Sequence, residues 1–74
     1  MKSLTLPIII ENDSDGFFVS CPSLQGCYSH GDTYEEAVAN IKDAIGLHIE
    51  DRVASGEEIS EPKSVSLSTV EIAV

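Results

Sequence analysis

Apolar residues fall at every second position over residues 4–10, where Leu4, Leu6, Ile8 and Ile10 share one face. That is the period of a strand with one covered side. Pro7 points to the other face and lacks a ladder N–H, which predicts an edge position or a bulge. Residues 11–16, Glu-Asn-Asp-Ser-Asp-Gly, are turn chemistry. Residues 17–21 follow as a second strand, closing a hairpin. Residues 22–26 form another turn ending in Gly26. Residues 27–30 make a short third strand, stopped by Gly31 and Asp32.

At Thr33 the period changes from two to 3.6. Tyr34, Val38, Ile41, Ile45 and Ile49 line one stripe, flanked by Ala37 and Ala44. Thr33-Tyr34-Glu35-Glu36 fits a capping box, with the Thr33 hydroxyl on the Glu36 amide and Glu36 reaching back to Thr33. The helix is expected to run to Val53 or Ala54, with Gly56 as a left-handed cap. After a linker carrying Pro62, residues 65–74 predict a last strand. Its apolar phase slips from odd positions (Val65, Leu67) to even ones (Val70, Ile72, Val74), which predicts a bulge near Ser68 and Thr69.

The order is β-β-β-α-β, an α+β domain with one helix on one face of a mostly antiparallel sheet. The opposite sheet face has no cover. Phe17 and Phe18 are consecutive and must point to opposite faces, so one of them belongs on the open side, with Tyr28 or His30 near it.

A chain of 74 residues is one domain, residues 1–74, with a thin stability margin. Disulfides, a metal or oligomerisation usually supply the rest. Neither a secretory leader nor a membrane span is visible in the sequence, which points to the cytoplasm and reduced thiols. A homo-oligomer, dimer or tetramer, is therefore the expected state. Four Lys and Arg against 13 Asp and Glu leave a net charge of −9. Such a surface repels nucleic acids and anionic membranes and suits a basic protein partner, while it also simply confers solubility.

The constellations that would carry chemistry are incomplete. Glu11, Asp13, Asp15 and Gly16 imitate the start of a calcium loop, but its final bidentate Glu would fall on Pro22. Cys21, Cys27 and His30 lack the fourth ligand and the spacing of a structural zinc site. His48 borders the helix stripe without a nucleophile at diagnostic spacing. No catalytic residue, cofactor or metal is expected. Leu47 falls opposite the apolar stripe, among Glu36, Asn40, Asp43, Glu50 and Asp51. A single exposed leucine is ordinary, and it also suits an interface anchor.

The stretch Asp15-Gly16-Phe17-Phe18-Val19-Ser20-Cys21-Pro22, then Leu24-Gln25-Gly26-Cys27, then Gly31-Asp32-Thr33-Tyr34-Glu35-Glu36-Ala37 resembles the HicB antitoxin family. The likeness runs from residue 4 to about residue 62, and its fold-bearing positions are Asp15, Gly16, Pro22, Gly26, Gly31, Asp32, Thr33 and Glu36. It implies a partial ribonuclease-H-like domain without nuclease activity. It also implies a partner: a small basic ribonuclease toxin of the HicA type, occluded by direct binding. Many family members carry a further DNA-binding domain for which this chain has no room, so no direct DNA binding is expected. Nuclease chemistry is not expected either, because Glu11, Asp13 and Asp15 share one turn instead of converging from strand centres. Glu36, Asp43 and Glu50 are the expected acidic contacts, with Leu47 as apolar anchor. A solitary oligomeric binding module with another protein or a small-molecule partner is the alternative.

Overall fold

In a computed structural model the described residues are 3–74; the first two residues of the expected domain lie outside them. Strands β1 (Ile9–Asp13), β2 (Gly16–Ser20) and β3 (Tyr28–Gly31) precede helix α1 (Tyr34–Ala54). The strands form one antiparallel sheet in the order β1-β2-β3. The α+β class and the first four elements follow the sequence pattern.

The first hairpin is tighter than the turn chemistry of residues 11–16 suggests. Asp13 pairs with Gly16, so only residues 14 and 15 form the loop, and pairing runs down into the acidic segment. The ladder thus starts at Ile9 and leaves Pro7 outside it. The Asp13 carboxylate accepts the Asp15 N–H at 2.8 Å, the usual Asx turn. Neither loop residue has positive φ; Gly16, which closes the loop, takes it instead, at +129°, and a Cβ on Gly16 would lie 2.9 Å from the Gly31 carbonyl oxygen.

Alternation along β2 divides the two sheet faces. Val19 is buried under the helix, while Phe18 points away from it. The core comprises Val19, Cys21, Leu24, Cys27, Ala37 and Ile41, flanked by Leu6, Ile8, Ile10, Phe17, Ala44, Ile45, Ile49 and Ile59. Leu24 comes from the second turn. Its N–H donates to the Cys21 carbonyl at 3.1 Å and the Cys27 N–H to its own carbonyl at 3.1 Å, so the loop curls inward and carries the side chain with it. Both cysteines are free and buried.

The helix ends follow their caps. The Thr33 hydroxyl accepts the Glu36 N–H at 3.1 Å. The Glu36 carboxylate accepts the Asp32 N–H at 3.3 Å, one residue beyond the expected Thr33 amide. At the other end Gly56 (φ +80°) donates to Val53 and Glu57 donates to Arg52, a complete Schellman motif. Replacing Thr33 by Ala should cost about 1 kcal/mol in chemical denaturation. A loss below about 0.3 kcal/mol would mean that the helix start is held by something else.

The expected fourth strand is not formed. Among the described residues none after Ala54 is in a strand, and the bulge expected near Ser68 and Thr69 falls with it. The apolar phase slip accords with this: apolar residues move from odd positions (65, 67) to even ones (70, 72, 74), so no single strand register would bury them all.

Candidate partner-binding surfaces

Three of the four residues expected at an interface come together on the exposed side of α1. Asp43, Leu47 and Glu50 stand at i, i+4 and i+7 around a shallow depression shared with Lys42 and Gly46. Leu47 is 67% exposed and sits between the two carboxylates. Glu36 lies near the start of the same helix, and its carboxylate is engaged with the Asp32 N–H as part of the cap. Lys42 at the rim escaped the sequence reading; its place one residue before Asp43 was the available signal.

The second surface is the open sheet face. Phe18 and Tyr28 stack there with ring centroids 6.0 Å apart and planes inclined by 19°. They are 52% and 63% exposed, and Ile9 extends the patch along β1. The register sets Glu11 and His30 on either side of Phe18 on the same face. The sequence placed one phenylalanine and Tyr28 or His30 here. It did not single out the stacked pair, because stacking depends on the β2–β3 register.

The remaining motif residues serve the fold. Pro22 and Gly26 shape the turn that buries Leu24, and Asp15, Gly16, Gly31, Asp32 and Thr33 shape the hairpin and the helix start. Asn40 donates to the His30 carbonyl at 2.7 Å and Arg52 to the Gln25 carbonyl at 3.1 Å, pinning the helix to β3 and to the second turn. Burial pushes the Cys27 thiol up, the neighbouring Cys21 adds to the rise, and Arg52 opposes it. Buried and protonated, that thiol is a poor nucleophile. Among the described residues no three His, Cys, Asp or Glu side chains are grouped to hold a metal ion. No helix there is long and apolar enough to cross a membrane.

The geometry is that of a small scaffold presenting two surfaces, one acidic and one aromatic. Residues 6–72 match the model of the HicB-like antitoxin of bacterial toxin–antitoxin systems. A UPF0150 protein of Helicobacter pylori is 42% identical over 88% of this chain and 90% of its own length. A UPF0150 protein of Synechocystis is 43% identical over 70% of this chain and 67% of its own. An uncharacterized 14.9 kDa protein from the rep–hol intergenic region of Haemophilus phage HP1 is 50% identical over 78% of this chain, which spans only 42% of that protein's length. No solved structure matches the chain significantly. With nearly its whole length matched, from the residue before Pro7 to Ile72, the chain belongs to the HicB-like antitoxin family.

Proposed function

We propose that this chain is an antitoxin that neutralises a small basic HicA-like ribonuclease in the cytoplasm by occluding it, acting through binding and not catalysis. The family match over residues 6–72 carries this reading. The net charge of −9 supports it, because opposite charge speeds the encounter with a basic partner. In this reading Asp43 and Glu50 guide the toxin, Leu47 anchors it and Glu36 extends the acidic side toward the helix start; the shared exposed face of Asp43, Leu47 and Glu50 supports it. The three-stranded sheet with one helix is compatible with a partial ribonuclease-H-like fold whose last strand is unformed.

Co-expression with the toxin, scored by growth, tests the function. Rescue is expected, and a toxin that stays lethal beside well-expressed chain sinks the antitoxin reading. The surface is tested separately. Asp43→Lys with Glu50→Lys should slow association and flatten its salt dependence. Leu47→Ala should mainly speed dissociation. A second reading has its own observation. The exposed Phe18–Tyr28 stack is the kind of aromatic patch that anchors interfaces, and it suits a binding module with another protein or a small-molecule partner. If the helix variants rescue as well as the wild type and Phe18→Ser does not, the toxin docks on the sheet.

A further inference from the structure

Strands β2 and β3 meet at their inner ends through the pair Ser20 and Tyr28. Their register continues one step further. The Cys21 N–H donates to the Cys27 carbonyl at 3.0 Å, so the two cysteines stand opposite each other at the mouth of the turn formed by residues 22–26. Residues opposed across antiparallel strands have Cα atoms about 4.5–5.5 Å apart. A disulfide spans a Cα separation of about 4.4–6.8 Å. Both side chains lie on the helix side of the sheet, in the core with Val19 and Leu24. Both thiols are free. Burial pushes the Cys27 thiol up and Cys21 adds to the rise, which sets the two sulfurs within electrostatic reach of each other.

We propose that Cys21 and Cys27 form a redox site, a dithiol that closes reversibly into an intrachain disulfide on meeting a low-molecular-weight disulfide. The strands need not move for this. The turn between the cysteines is already held shut, by the Leu24 N–H on the Cys21 carbonyl and the Cys27 N–H on the Leu24 carbonyl, both at 3.1 Å. Arg52 ties the same turn to the helix through the Gln25 carbonyl. The fold therefore brings the thiols together before any oxidant arrives, which raises their effective concentration.

Closure takes two exchanges. The thiolate of one cysteine attacks a sulfur of the small disulfide, forms a mixed disulfide and displaces one small thiolate. The other cysteine then attacks the protein sulfur of that bond and displaces the second small thiolate. The two protons given up by the cysteines end on the two small thiols. The protein loses two electrons and the small disulfide gains them. Access is the slow part, because the cysteines are 2% and 3% exposed. Their cover is the turn itself, whose Pro22, Ser23, Gln25 and Gly26 lie at the surface, so local opening of that turn admits the reagent. Once formed, the bond closes a loop of seven residues, 21–27, in the unfolded chain as well.

The test equilibrates the full chain with rising oxidised glutathione at constant reduced glutathione. Samples are quenched in acid, alkylated in denaturant and weighed intact. The native chain should pass from two alkylated cysteines to none, lighter by two hydrogens and carrying no glutathione. It should close at about tenfold less oxidised glutathione, or lower still, than the same chain in concentrated urea. By reciprocity, the oxidised chain should show a folded-to-unfolded ratio at least about tenfold above that of the reduced chain. Cys21→Ala and Cys27→Ala should each end with one thiol, free or bearing glutathione, and gain no stability on oxidation. A native chain that closes no more readily than the unfolded one overturns the proposal. So does glutathione on both cysteines, or a disulfide between chains. An oxidised chain that unfolds at lower urea than the reduced one also overturns it, since the fold would then hold the sulfurs apart. None of these outcomes depends on toxin neutralisation.

Discussion

Gly31→Ala should remove a large part of the chain's stability. Gly31 is buried at the end of β3, opposite Phe17, where the first turn of α1 crosses the sheet. A Cβ there would stand 2.5 Å from the Ala37 nitrogen and 3.0 Å from both the Ala37 Cα and the Glu36 carbonyl carbon. All three are backbone atoms, so no side chain can rotate out of the way. The helix must shift, and with it the Thr33 and Glu36 caps and the seat of Ala37. Overpacking a core costs about 1–3 kcal/mol even where side chains can adjust, so a loss of about 3 kcal/mol or more is expected. A domain of this size holds roughly 4–11 kcal/mol in all. Urea denaturation measures the effect, and the folded-to-unfolded ratio should fall by more than about a hundredfold. A variant within about 0.5 kcal/mol of wild type would show that the helix does not sit on Gly31.

Ile41→Ala is the second large effect. Ile41 is fully buried, lies in the middle of the helix stripe, and is the largest of the completely enclosed side chains. Its truncation should cost about 2–5 kcal/mol, from lost transfer energy and the cavity left behind. Leu47→Ala, two turns away on the opposite side, should cost below about 0.5 kcal/mol in the same measurement. If the two variants unfold at the same denaturant concentration, the helix faces are assigned the wrong way round.

Those two experiments probe one arrangement. Gly31 and Ile41 hold the helix on the sheet. That packing turns Asp43, Leu47 and Glu50 toward the solvent and leaves Phe18 and Tyr28 uncovered on the far side. Residues 64–74 contribute to neither packing.

Much of this was legible in residue order because it is local. A hairpin needs turn residues, and Asp13 to Gly16 provide them. A helix start needs a cap, and Thr33 with Glu36 provides it. The period of 3.6 in the stripe told Ile41 from Leu47 without any coordinates. What the chain does not encode locally is register and closure. The Phe18–Tyr28 stack exists because β2 and β3 pair at one offset and not at its neighbour. The inward turn of Leu24 depends on three backbone bonds among Cys21, Leu24 and Cys27. The fate of residues 65–74 was the clearest division. Their apolar content announces a strand, but a strand exists only with another edge to bind, and among the described residues none of 65–74 pairs with one. Composition and period determined which segments seek burial. Only the tertiary structure decided which of them find it within a single copy, because burial is a relation between surfaces distant in sequence.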